Sequence, residues 1–219
     1  SVLGDRPPGD NDWAQFQGRW YVVFPPLPAP MIMPAVALWK DAVWDRLYWA
    51  LFAGIGPALL YVLLRFLREE VGSGRRPRDD LALTGLFAFG SAYYYASVQG
   101  TVWFAAHVVA VPLTALYVLF SIRARQPLLA GLVLGMAYMT RPATLALAPL
   151  FVIEALAAAR PADATGPVDP ESIYGRALHL LRQVEPRRAL RSLALFALPV
   201  LSIMAINAAL NYLRFGDAF

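Results

Sequence analysis

Between Tyr21 and Tyr212 long apolar runs alternate with short gaps, and every second gap is rich in arginine. Residues 47–64, 81–122 and 193–213 carry no charged side chain. A run of roughly 18 or more apolar residues, rising about 1.5 Å each, crosses a hydrocarbon core of about 30 Å. The pattern predicts membrane-crossing segments at 46–67, 81–98, 101–122, 127–140, 143–159 and 192–212. They are expected to be helices, because a lone strand leaves its backbone groups unbonded in lipid and barrel-type alternation is missing. Pro57, Pro112 and Pro199 fall inside these segments, where a membrane helix accepts proline as a bend. The expected architecture is all-α, a polytopic transmembrane bundle of about six spans.

The arginines set an orientation. Arg65, Arg68, Arg75, Arg76 and Arg78 follow the first span, Arg123 and Arg125 precede Pro127, and Arg160, Arg176, Arg182, Arg187, Arg188 and Arg191 occupy the long gap. Together these are 13 of the 19 basic residues, and the positive-inside rule makes their side cytoplasmic. Arg6, Arg19, Lys40, Arg46, Arg141 and Arg214 remain on the other side. The rule also decides the stretch 127–159: one long span would put 160–191 outside, so two short spans are expected, turning at Thr140-Arg141-Pro142. The first of these, 127–140, reaches only roughly 21 Å at about 1.5 Å per residue. Its end must then lie below the surface, beside protein or water.

The stretch 25–39 is apolar but punctuated by Pro25, Pro26, Pro28, Pro30 and Pro34. It suits an interfacial helix with Trp20, Trp39, Trp44 and Trp49 as aromatic anchors. The expected organisation is one membrane domain over 1–219: an outer loop at 1–24, the interfacial helix at 25–39, five spans within 46–159, a cytoplasmic loop at 160–191 and a sixth span at 192–212. Residues 173–184 in that loop read as a short amphipathic stretch. The first twenty residues hold neither a signal-peptide core nor a membrane anchor, and Phe219 comes just after a span. The chain is therefore expected to be a piece of a longer protein, cut at both ends.

Composition agrees with a membrane setting. Hydrophobic residues make up 58% and charged residues 16%, with mean hydropathy +0.50, against about 25% charged in a soluble domain. The net charge of +4 sits in short loops between apolar segments, which argues for topology and against a nucleic-acid partner. With no cysteine, disulfides, thiolate nucleophiles and cysteine-ligated metals are excluded. No P-loop, dinucleotide-binding glycine pattern, zinc motif or nucleophile elbow occurs.

Polar groups near the bilayer are costly and therefore candidates for function. Arg141, a lone guanidinium at an outer turn, is suited to pairing with a phosphate; a residue snorkelling to the headgroups would look the same. The outer turn from Tyr93-Tyr94-Tyr95 through Gln99-Gly100-Thr101 to Trp103 and His107 offers flat faces and an amide, as sugar recognition requires. An interfacial aromatic belt with a packing histidine accounts equally for Tyr95, Gln99, Trp103 and His107. Asp5, Asp10 and Asp12 are outer-loop carboxylates, placed to act as a general base or to hold a divalent cation, or simply to be solvated turn residues. Glu154 is expected to pair with Arg160 at the cytoplasmic end of its span.

The order of these features resembles a known group. Gly18-Arg19-Trp20-Tyr21-Val22-Val23-Phe24-Pro25-Pro26-Leu27-Pro28-Ala29 is similar to the proline-rich juxtamembrane segment of GT-C type membrane glycosyltransferases, the protein-mannosyltransferase-like group that uses polyprenyl-phosphate sugars. Asp45-Arg46-Leu47 through Leu64-Arg65 resembles their second transmembrane helix. The segment Leu129-Ala130-Gly131 through Met139-Thr140-Arg141-Pro142 resembles their glycine-rich helix and its turn, and Asn211-Tyr212-Leu213-Arg214-Phe215-Gly216-Asp217 resembles the outer end of a later helix. Gln99-Gly100-Thr101 departs from the more charged turn of the mannosyltransferases.

The resemblance implies transfer of a hexose or pentose from a polyprenyl-phosphate sugar to an extracytoplasmic glycan, lipid or protein acceptor, by a multi-pass protein of the cytoplasmic (inner) membrane in contact with its lipids. The family's catalytic carboxylate lies early in the first outer loop, expected upstream of Ser1, so Asp10 and Asp12 stand in for it by position alone. Arg141 and Arg19 are then the groups expected to bind the lipid phosphate, with a divalent cation as a further helper. A transporter or flippase of lipid-linked substrates, or a noncatalytic membrane protein, is the competing expectation; no internal repeat favours transport.

Overall fold

The charge-free runs are mainly helical. The structure is a computed structural model, and it describes residues 2–3, 13–22, 24–161 and 184–217. Its helices are α1 (Pro28–Trp39), α2 (Asp45–Ala53), α3 (Ile55–Glu70), α4 (Pro77–Gly90), α5 (Ala92–Gln99), α6 (Val102–Ser121), α7 (Pro127–Tyr138), α8 (Ala148–Ala158) and α9 (Pro186–Phe215), with a 3-10 turn at Pro142–Leu147 leading into α8.

Three helical stretches among the described residues are long and apolar enough to cross a membrane: Asp45–Glu70, Trp103–Ala124 and Pro186–Phe215. The expectation of about six spans is thus met by three. The segment 81–98 is broken at Ser91, whose backbone turns extended (φ −121°, ψ 171°). Ser91 Oγ donates to the Phe87 carbonyl at 2.6 Å and accepts from the Tyr93 N–H at 3.1 Å, so the side chain competes for groups a continuous helix would use. α7 has only 12 residues, and Pro142–Ala158 is part 3-10 helix. α9 extends further than expected at its start, because a helix need not end where the hydrocarbon does.

A small sheet precedes the helices, where an irregular loop was expected. Strands β1 (Val2–Leu3), β2 (Trp13–Phe16) and β3 (Arg19–Val22) pair antiparallel in the order β1-β3-β2. Gln17 and Gly18 connect β2 to β3 with φ of 49° and 76°. Two positive φ values are what a tight hairpin turn needs.

Of the three prolines expected to bend helices, Pro57 coincides with an interruption, while Pro112 and Pro199 lie inside the continuous α6 and α9. Pro57 has no N–H to offer the Ala53 carbonyl one turn earlier, and α2 gives way to α3 at Gly54. The Tyr93 hydroxyl donates to that carbonyl at 2.8 Å instead. Gly56 leaves the room: a Cβ there would lie 2.5 Å from Tyr93 Oη. A neighbouring helix thus satisfies the group that proline leaves open.

α6 runs through the centre, with Val108, Val109 and Tyr117 fully enclosed. α7 packs on α9 through Gly131 and Gly135, one turn apart. A Cβ on Gly131 would strike the Phe196 carbonyl and Pro199, and one on Gly135 would strike Ile203. Small residues at this spacing let two membrane helices approach closely. The chain then reverses at the Thr140-Arg141-Pro142 corner, as expected. Tyr117 Oη donates to the Leu147 carbonyl (2.8 Å) and accepts from the Phe151 N–H (3.2 Å). Farther on, Glu154 accepts from the Arg123 backbone N–H at 2.6 Å, which brings the end of α8 back toward the start of α7.

The bundle has two unlike ends. At the arginine-rich end, the buried Asp80 carboxylate accepts from Arg68 (2.7 Å) and Arg75 (3.0 Å), and Arg123 reaches the Glu70 carbonyl at 2.6 Å. The Arg68 hydrogen bond, helped by that of Arg75 against the opposing effect of burial, holds Asp80 below the usual carboxylate range. At the opposite end, the sheet, the proline-rich stretch and the Thr140-Arg141-Pro142 corner gather. Phe215 at the end of α9 lies against Tyr21 and Phe16, with ring centroids 5.0 and 6.1 Å apart. Leu27 N–H donates to the Met139 carbonyl at 3.4 Å.

Candidate functional site

Two adjoining cavities open at this second end. The larger, about 950 Å³, lies between the proline-rich stretch, the start of α1 and the first turns of α2, and is lined mainly by apolar groups such as Leu27, Ile32, Trp44 and Trp49. Its polar wall holds Asp45, Arg46, Thr101 and Arg214. The smaller, about 340 Å³, is lined by Trp103, Tyr138, Arg141, Asn207, Asn211 and Arg214 among others. Phe24, Pro25, Pro26, Met139, Leu210 and Arg214 face both, so one wall separates them.

The proline-rich stretch forms that wall because it can build no regular ladder: Pro25 and Pro26 have no N–H to donate, and the first bond of the segment goes from Leu27 across to α7. Phe24 stacks edge-on against Trp103 at 5.3 Å. On the far side, Gly100 ends α5 in the left-handed conformation (φ 57°), and any side chain there would collide with Arg46, its Cβ lying 2.5 Å from the Arg46 Cα. Glycine therefore lets the α5–α6 turn seat against the first turn of α2, where Arg46 meets the cavity.

Arg141 is fixed at its base by the corner. Its N–H donates to the Ala137 carbonyl (2.8 Å), and its own carbonyl accepts from the Thr144 hydroxyl (2.8 Å). Its guanidinium reaches α6, where Nη2 donates to the Trp103 carbonyl at 3.2 Å and lies 2.6 Å from His107 Nε2. Its Nε is buried without a hydrogen-bond partner. Asn207 donates to Tyr138 Oη at 3.3 Å, tying α9 to the end of α7.

The smaller cavity thus has two guanidiniums and two carboxamides in its wall, and no carboxylate among the described residues that line it. Such a wall favours an oxyanion, since arginine offers donors in a fork that matches phosphate. The larger cavity, apolar with one carboxylate and two arginines at its rim, suits an amphiphile.

Of the residues singled out from sequence, Arg141 and Trp103 line the smaller cavity, and His107 joins them through Arg141. Tyr95 is exposed and packs edge-on against Phe104 at 5.4 Å, and Gln99 sits at the end of α5. Neither lines either of these two cavities. Arg19 is exposed in β3 and lines neither cavity. Asp5, Asp10 and Asp12 lie outside the described residues. Among the described residues no group of three or more His, Asp or Glu gathers as a metal site.

Asp45, Arg46, Asn207, Asn211 and Arg214 were not read as site residues. Arg46 and Arg214 look like ordinary charges flanking a span, and the one available signal was that they share the outer side with Arg141. Comparison with protein-family models, curated proteins and solved structures finds no match to the chain.

Proposed function

We propose that this chain is the membrane part of a glycosyltransferase that moves a sugar from a polyprenyl-phosphate donor to an extracytoplasmic acceptor. In this reading it is a multi-pass protein of the cytoplasmic membrane. The shorter pieces, α4 with α5, α7, and Pro142–Ala158, complete six spans around the three long helices, α7 packing into the bundle through Ala130, Gly131, Val133, Leu134, Gly135 and Ala137 and turning Leu128, Leu129 and Leu132 outward.

The observation that carries the reading is the pairing of a mainly apolar cavity with an arginine- and amide-lined one, at the bundle end opposite the arginine-rich loops. A prenyl phosphate has the same two halves. Its phosphate fits between Arg141 and Arg214, and its first isoprene units fit the larger cavity beside Trp44 and Trp49. In the transfer, a carboxylate takes the proton of an acceptor hydroxyl, the freed oxygen attacks the anomeric carbon, and the prenyl phosphate leaves with the bonding pair. Arginines facing the departing phosphate stabilise the charge it gains. Asp45 is the carboxylate among the described residues that line the larger cavity; Asp10 and Asp12 are further candidates by sequence position alone, and a divalent cation is the partner such a group would take.

The test is to reconstitute the full chain in liposomes with a radiolabelled polyprenyl-phosphate sugar and a membrane extract as acceptor, and to measure binding of the prenyl phosphate in parallel. Lipid-dependent transfer of label, lost in Arg141→Ala, is expected. Absence of both transfer and binding contradicts the reading.

A further inference from the structure

We infer that His107 is a positioning residue: as an uncharged acceptor it holds the Arg141 guanidinium at the wall of the smaller cavity, and so sets how tightly that cavity takes a phosphate. The inference deepens the lipid-phosphate reading above and rests on it.

A guanidinium has donors and no acceptor. With His107 Nε2 only 2.6 Å from Arg141 Nη2, the imidazole nitrogen must accept, and the ring proton sits on Nδ1. The Trp103 carbonyl accepts from the same Nη2 at 3.2 Å. Trp103 and His107 are four residues apart, one above the other on a single face of α6, so together they form a two-point dock for one guanidinium nitrogen.

That dock has a purpose a packing histidine would not need. The corner fixes only the backbone of Arg141 through Ala137 and Thr144, and a long side chain at a membrane surface otherwise swings toward the headgroups. The dock on α6 opposes that swing. It also leaves Arg141 Nε buried without a partner, although a buried unpaired donor is unfavourable. The dock thus holds the cation at the cavity wall through one guanidinium nitrogen.

The test combines two measurements on the full chain in lipid nanodiscs. Binding of a long-chain prenyl phosphate is measured for the unaltered protein, His107→Ala, His107→Gln, Arg141→Ala and the double variant His107→Ala/Arg141→Ala. His107→Ala should weaken binding about tenfold, the factor for losing a hydrogen bond to a charged group. His107→Gln, which keeps an acceptor, should stay within about threefold of the unaltered protein on the same basis. In the Arg141→Ala background, His107→Ala should change nothing further. Separately, nitrogen NMR of labelled histidine should find Nε2 unprotonated and hydrogen-bonded, and that signal should move in Arg141→Ala. Equal losses from His107→Ala in both backgrounds, or a proton on Nε2, would overturn the inference. If the unaltered protein binds no prenyl phosphate, the lipid-phosphate reading falls, and the NMR measurement alone then decides whether His107 docks Arg141.

Discussion

Replacing Tyr93 by Phe removes one oxygen and isolates one physical question: whether a helix bent by proline relies on its neighbour to satisfy the carbonyl that proline leaves open. Tyr93 Oη donates to the Ala53 carbonyl at 2.8 Å in a buried setting, and Pro57, one turn later, supplies no N–H. A side-chain hydrogen bond inside a membrane protein contributes about 0.6 kcal/mol on average and up to about 1.7, whereas leaving a buried carbonyl unmet costs about 1–3 kcal/mol. The expected loss for Tyr93→Phe is about 1–1.7 kcal/mol, where these ranges overlap.

In Pro57→Ala the restored N–H can bond to Ala53 itself. There the same Tyr93→Phe change should cost less by about 1 kcal/mol, a coupling that a double-mutant cycle resolves. Reversible unfolding of the four proteins in mixed micelles gives the cycle. Equal losses in the two backgrounds would refute the reasoning, because the contribution of the Tyr93 hydroxyl would then not depend on the carbonyl that Pro57 leaves open.

Three further outcomes follow from the same geometry. Gly131→Ala, which drives a methyl into the Phe196 carbonyl and Pro199, should lower stability by about 1–3 kcal/mol as overpacking does; Gly85→Ala, with open space around it, should not, and unfolding of both in the same micelles checks this. Asp80 titrates below its ordinary value because Arg68 and then Arg75 bond its charged form, so its contribution is present above the unfolded pKa of about 4 and is lost as pH falls through the lowered folded value. Asp80→Asn should therefore unfold at lower temperature at neutral pH and lose less on acidification, as thermal scans from pH 7 to pH 2 would record. Arg214→Ala, which strips a guanidinium from the wall of both cavities, should weaken prenyl-phosphate binding about tenfold or more, as loss of a charge-assisted pair does, read by equilibrium binding in nanodiscs.

The helices were legible because each apolar run states its own condition for crossing or lining a bilayer, and the corner at Arg141-Pro142 followed from where the arginines lie. The expected 101–122 matches α6 to within a residue at each end. The break at Ser91 was not read, because one hydroxyl competing for backbone groups leaves hydropathy unchanged. The β2–β3 hairpin was present as alternation in Trp13-Ala14-Gln15-Phe16 and Arg19-Trp20-Tyr21-Val22, but its Gln17-Gly18 turn is a weaker signal than Asn-Gly. Gly131 and Gly135 stood at helix-contact spacing, yet which helix they meet is a long-range fact. The same limit applied to the site: Arg141 stood out as a lone cation, while Arg46, Asn207, Asn211 and Arg214 gain meaning only once α2 begins and α9 ends at the same cavities.

The central claim is that both cavities open away from the arginine-rich end, on the extracytoplasmic side. Because the chain contains no cysteine, single cysteines at the exposed positions Ala29, Ala143 and Ser73 report compartment without background. In intact cells a membrane-impermeant maleimide should label the first two and spare Ser73→Cys until the membrane is opened. Labelling of Ser73→Cys in intact cells, with Ala29→Cys or Ala143→Cys protected, would contradict the account.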